Sequence, residues 1–152
     1  MIARVNVDRR LPVRALLVLS VMAGLLLGPL ASPSEAGVWY TGPSKRCTYT
    51  DNAPWKSGDK IYAVSRVQCK WKIKAIEHIV ELKRYTGWAA PTLKSGSRYC
   101  ADCRSTGVYL SYYCKGTGKY TYFTDVEVRV HFYDGTRGEW ARGYSPYVSI
   151  TC

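Results

Sequence analysis

Six cysteines, all behind an apolar leader and one of them the final residue, Cys152, constrain this chain more than any other feature. Thiols stay reduced in the cytosol and oxidise outside it, so an even set of cysteines behind an export signal reads as disulfides. A cysteine at the last position implies a pinned end, because unpinned termini fray. The expectation is a small, exported, cross-linked domain.

The leader supports export. Arg4, Arg9, Arg10 and Arg14 form a positive segment, Ala15 to Leu30 is apolar, and Ser34-Glu35-Ala36 presents small residues to a signal peptidase. Cleavage is expected before Gly37, with residues 1–36 as signal peptide. A retained membrane anchor is the competing reading. It is disfavoured because the run is shorter than the roughly 20 residues a spanning helix needs and is broken by Gly24, Gly28 and Pro29. Cleavage leaves 116 of the 152 residues. The removed piece carries four Arg against Asp8 and Glu35, so the net charge of +11 falls to +9. A chain of that length makes one domain with one modest core, and no membrane contact is expected after cleavage.

The mature chain is patterned with period two, as strands with one buried face are. In Lys60–Lys74, Ile61, Ala63, Val67, Cys69, Trp71 and Ile73 fall on odd positions, which puts Trp71 in the core and leaves Ser65 as the exception. In Thr121–Tyr133, Val126, Val128, Val130 and Phe132 alternate with Asp125, Glu127, Arg129 and His131. Val108–Cys114 and Tyr147–Cys152 read as shorter strands. Residues 76–83 fit a helix or a strand. Strand is preferred, because no cap residue opens a helix there. Turn residues separate the runs at Asp51–Pro54, Ser57–Asp59, Thr86-Gly87, Lys94–Ser97, Lys115–Gly118 and Asp134–Thr136. Asp134-Gly135 suits a type I′ hairpin. These spacings predict an all-β fold, a small disulfide-bonded antiparallel β-sandwich of immunoglobulin-like type over residues 47–152, preceded by an N-terminal arm, residues 37–46.

Six cysteines allow 15 pairings. The preferred set is Cys100–Cys103, Cys47–Cys69 and Cys114–Cys152, the last tying the final strand to a core strand. Cys100-Ala-Asp-Cys103 could mean redox chemistry, but that needs a helix start in a βαβ setting, and none is apparent. Zinc would need a second cysteine pair at finger spacing, which is missing. The motif therefore reads as a loop staple.

No constellation of an enzyme emerges. His78 and His131 are isolated on strand patterns, no glycine-rich phosphate loop opens a helix, and Glu77 and Glu81 fit a solvated face as well as acid–base work. The expectation is a protein without catalytic residues, cofactor or metal. Lys70, Lys72 and Lys74 alternate with Trp71 and Ile73, and anionic envelope surfaces or an acidic protein fit them better than nucleic acid does outside a cell; solubility is the plain alternative. All 13 Tyr and 5 Trp lie in the mature chain. Trp39, Tyr40, Trp55, Trp88 and Trp140 are the candidate partner-binding residues, since Trp and Tyr outside a core anchor interfaces or stack on sugars.

Three segments carry a resemblance: Val80-Glu-Leu-Lys-Arg-Tyr-Thr-Gly-Trp88, Cys114-Lys-Gly-Thr-Gly-Lys-Tyr-Thr-Tyr-Phe-Thr124 and Tyr144-Ser-Pro-Tyr-Val-Ser-Ile-Thr-Cys152. Together they resemble small secreted β-sandwich proteins of actinomycetes, among them the adaptor subunit of the umbrella toxin particles of Streptomyces. These are scaffold motifs without chemistry. The resemblance implies a non-enzymatic adaptor joining a lectin-like subunit to the stalk of an extracellular antibacterial toxin. In that reading the Gly37–Thr41 arm adds a strand to a partner's sheet, with Trp39 as anchor. An envelope- or glycan-binding module and an inhibitor of extracellular hydrolases are the alternatives.

Overall fold

The structure, a computed structural model, describes residues 37–152, so the leader and its cleavage site lie outside the described residues. Strand accounts for 71% of the described residues, with no helix among them. The strands are β1 (Gly37–Tyr40), β2 (Cys47–Asp51), β3 (Trp55–Ser57), β4 (Lys60–Tyr85), β5 (Thr92–Tyr113), β6 (Lys119–His131), β7 (Glu139–Tyr144) and β8 (Val148–Thr151).

One hairpin organises the fold. Along one edge, β4 pairs antiparallel with β5 from Lys60↔Tyr113 to Lys83↔Thr92. Along its other edge it meets three strands in turn: β3 at Lys60–Tyr62, β2 at Ser65–Cys69 and β6 at Ala75–Tyr85. β1 extends the sheet beyond β2, and both β7 and β8 pair with β6. The register slips between Gln68 and Ile73, and such an irregularity lets a strand bend. The ribbon folds over there, which brings the two halves of β5 face to face: a Cβ on Gly96 would lie 2.8 Å from Leu110 and 3.2 Å from Val108.

This departs from an immunoglobulin-like sandwich. All eight strands belong to one antiparallel sheet, because a single bent ribbon serves both layers, and the result is nearly barrel-shaped. β1 touches β7 and β3 touches β8.

Residues 76–83 are strand, with Ile76, His78, Val80 and Leu82 buried. The buried positions of β4 run odd from Ile61 to Cys69, resume at Ile73 and Ala75 after three exposed residues, and turn even from Ile76 onward. The corner and the fold-over account for two differences from the sequence pattern. Trp71, expected in the core, is 51% exposed, because Lys70, Trp71 and Lys72 all point outward where regular pairing lapses. Lys94–Ser97, expected as a turn, lies inside β5, where Gly96 supplies the close approach that the fold-over requires. Asp134-Gly135 is a turn, but only Gly135 has positive φ, so it is not type I′, which needs two such residues. The N-terminal arm is not free: Gly37–Tyr40 pairs with Asp51–Thr48 of its own sheet.

The disulfides are Cys47–Cys69, Cys100–Cys103 and Cys114–Cys152. Cys47 and Cys69 face each other across β2 and β4 just before the corner. Cys100–Cys103 spans the matching bend of β5, where Asp102 takes a left-handed conformation with φ 47°. Cys114–Cys152 joins the ends of β5 and β8, and hydrogen bonds from Gly116 N to Cys152 O (3.1 Å) and from Cys152 N to Gly118 O (3.0 Å) complete the junction. Each of the two longer bridges contributes on the order of 2–4 kcal/mol by restricting the unfolded chain.

A valine at position 96 would drive methyl groups into Leu110 and Val108. Gly96→Val is expected to lower stability by about 1–3 kcal/mol through that clash, read as a lower denaturant midpoint; Gly87→Ala, at an open hairpin tip with nothing to clash with, is expected to cost about 1–2 kcal/mol from its positive φ alone.

Candidate functional site

Two groups of polar residues stand out, one sealed inside the sheet and one on its surface. Inside, Asp51 and Ser65 sit opposite each other on β2 and β4, and His78 and Thr124 face them from the other half of the ribbon and from β6. All four are at most 1% exposed. Ser65 Oγ donates to Thr50 O (3.2 Å) and accepts from His78 Nε2 (3.0 Å). Thr124 Oγ1 donates to Asp51 Oδ2 at 2.6 Å. Asp51 Oδ1 and His78 Nδ1 have no partner.

Burial pushes the Asp51 carboxyl up from 3.8 to about 7; the Thr124 hydrogen bond opposes this and the nearby Asp125 adds to it. Burial pushes His78 down from 6.5 to about 4. Ser, His and Asp are thus close together but do not form a catalytic arrangement. His78 Nδ1 lacks the carboxylate that would orient it, and burial denies a substrate access to Ser65. The four residues hydrogen-bond the layers together.

On the outer face, Asp125 is 4% exposed and held by Arg142 Nη2 (2.6 Å) and Lys83 Nζ (2.9 Å). Burial raises its carboxyl pKa, but these hydrogen bonds outweigh it and keep the pKa below the usual carboxylate value.

The surface site lies at the corner. Lys70 N donates to Arg46 O (3.0 Å), which draws the β1–β2 loop against the bend. A groove of about 410 Å³ opens there between Tyr40, Lys45, Thr48, Gln68, Lys70 and Arg104. Lys45, left-handed at φ 51°, holds its ammonium 5.4 Å from the centre of the Tyr40 ring. Arg104 Nε donates to Cys69 O (3.0 Å). Across Thr48 and Gln68 the groove continues into a second, of about 500 Å³, with Thr50, Arg66, Arg98 and Ser105 on its walls. No carboxylate lines either groove. On the other flank Arg46 lies 4.6 Å over Phe132 and 6.0 Å from Trp71, and pairs with Asp134 at 2.7 Å. Hydrogen bonds from Thr136 and then Arg46 hold Asp134 down at about 2.

A third groove, about 470 Å³, runs along β6 and β7 with Trp140 on its wall. Its charges are largely met internally: Arg129 pairs with Glu127 (2.7 Å), His131 with Glu77 (3.3 Å), and Glu139 accepts from Ser44 N (3.1 Å) and Oγ (2.9 Å).

The five aromatic candidates do not converge. Tyr40 belongs to the cationic groove and Trp140 to the β6–β7 groove. Trp39 stacks on Tyr49 (6.5 Å). Trp55 joins Tyr62 (5.8 Å) and Tyr109 (6.5 Å) in an outward cluster. Trp88 stands at the β4–β5 tip, 92% exposed. Sequence reading missed Lys45, Arg66, Arg98 and Arg104, which come from four chain segments and carry no shared motif; the Lys70–Lys74 run was the one available signal. No group of three or more metal-ligating side chains occurs among the described residues. Comparison of the chain with family models, curated proteins and solved structures found no match.

The buried pair predicts a pH signature. Asp51 favours its protonated form in the fold, so its contribution is complete below pH 3.8 and is lost as pH rises through about 7. His78 favours its neutral form, so its contribution is complete above 6.5 and is lost as pH falls towards about 4. The slopes oppose each other in one window, and wild-type stability should change little across it. Asp51→Asn keeps the acceptor for Thr124 and removes the ionisation. Thermal unfolding should find it more stable than wild type at pH 8, by at most ~4 kcal/mol, with the difference gone near pH 4.

Proposed function

We propose that this chain is a secreted, non-enzymatic interaction protein, an adaptor that holds two partners at opposite ends of a rigid sheet. Three disulfides are compatible with an extracellular setting. The observation that carries the reading is Trp88. Its loop is ordered by hydrogen bonds from Thr86 N (2.9 Å) and Thr86 Oγ1 (3.0 Å) to Ala89 O, and from Tyr85 hydroxyl to Gly87 O (2.8 Å). An ordered loop that leaves a tryptophan 92% exposed gains nothing from that side chain in the isolated fold. Such a residue suits a partner's pocket, where buried Trp is among the strongest interface anchors.

The second contact surface is the corner around Trp71. From Ile73 to Tyr85 the strand separates the two ends by on the order of 40 Å, enough to keep two partners apart. The resemblance in residues 80–88, 114–124 and 144–152 favours subunits of an extracellular antibacterial toxin complex, a lectin-like subunit and a stalk, as those partners.

Gentle isolation of the native protein from culture supernatant, followed by light scattering, tests the proposal. The expected result is a complex heavier than one chain. Trp88→Ala is expected to release one partner and keep the other, with the thermal midpoint of the free protein unchanged. Recovery as a monomer would sink the reading.

A further inference from the structure

We propose that the paired cationic grooves at the corner bind a linear anionic envelope polymer built of phosphodiester-linked polyol or sugar units. This goes beyond the adaptor reading and uses neither Trp88 nor a protein partner. Six cations, Lys45, Arg46, Arg66, Lys70, Arg98 and Arg104, line the two grooves. Arg46 pairs with Asp134; the other five form no ion pair among the described residues. Lys83 and Arg142 are matched by Asp125, Arg129 by Glu127 and Lys115 by Asp59; other cations, Lys94 and Lys119 among them, form no ion pair among the described residues but line neither groove. Unmatched like charges repel one another and lower stability, so gathering five around one continuous depression serves the fold poorly and an anion well.

The groove chemistry narrows the ligand. Thr48 and Gln68 line both depressions, so one chain can run from Lys45 and Lys70 to Arg66 and Arg98 without leaving the band. Guanidinium forks match the oxygens of a phosphodiester, and lysines act as point charges beside them. Thr48, Thr50 and Ser105 hydroxyls, with the Gln68 amide, supply the uncharged hydrogen bonds a polyol or sugar backbone takes. A regular ladder of aromatic platforms for unstacked bases, as single-stranded nucleic acid requires, is absent from these walls, where Tyr40 is the one ring.

The test is titration of the secreted protein with purified poly(glycerol phosphate) at low and moderate salt. Binding should weaken steeply with salt, as neutralisation of several phosphates requires. Lys45→Glu with Lys70→Glu, and separately Arg66→Glu with Arg98→Glu, should each lower affinity by at least about tenfold and flatten the salt slope. The Gln versions should give smaller losses in the same order. A control with equal charge change, Lys94→Glu with Lys119→Glu near the other end of the sheet, should stay within about threefold. Loss by the control equal to that of the groove variants would overturn the site and leave diffuse charge as the cause. Equal affinity for poly-glutamate would overturn the phosphodiester assignment, and equal affinity for double-stranded DNA would overturn the envelope polymer. Failure to bind poly(glycerol phosphate) at low salt would overturn the proposal outright while leaving the adaptor reading intact.

Discussion

The fold-over of the β4–β5 ribbon is the constraint on which everything else depends. A hairpin this long cannot bury an apolar face by itself, because a flat two-stranded ribbon leaves both faces in water. Bent at Gln68–Ile73, it packs its own halves together. Ile61, Ala63 and Val67 then share one interior with Ile76, Val80 and Leu82. The remaining strands fill in around that clamp, which is why one sheet does the work of two. Two disulfides sit at the bend and the third closes the far end. Covalent bracing is concentrated where a small core would otherwise let the ribbon open.

A polar seam crosses this interior. Asp51, Ser65, His78 and Thr124 occupy inward positions that apolar side chains could fill, and two of their atoms lack partners. Such groups cost stability relative to a greasy core, but they satisfy their hydrogen bonds in only one relative placement of the layers. Opposing pKa shifts at Asp51 and His78 favour an uncharged seam between about pH 4 and about pH 7 and spread its pH sensitivity in two directions. Asp125 on the opposite face is handled differently, by two cations that keep it ionised.

Bending also makes the surface. Where regular pairing lapses, three consecutive side chains, Lys70, Trp71 and Lys72, face water together, which no regular strand allows. The loop before β2 docks on that corner and adds Lys45 and Arg46, and the bend of β5 adds Arg98 and Arg104. The two proposed recognition surfaces therefore lie at opposite ends of the folded ribbon, the groove cations at the bend and Trp88 at the tip, while Arg129 and Arg142 along β6 and β7 are matched in place.

Residue pattern alone determined the strand content, the strand character of residues 76–83 and the preferred disulfide pairing. Each rests on local chemistry: alternation, turn residues, and which cysteines a strand framework can bring together. The inward positions of β4 are legible up to the bend; period two carries no mark of where pairing lapses and so puts the exposed Trp71 in the core, while the Gly-Ser composition of Lys94–Ser97 reads as a turn although it lies inside β5. The choice between two separate sheets and one folded ribbon belongs to tertiary structure, since it depends on Gly96 meeting Leu110 across the interior. The same holds for the cationic grooves. Lys45, Arg66, Arg98 and Arg104 are far apart along the chain, and only the fold-over makes them neighbours.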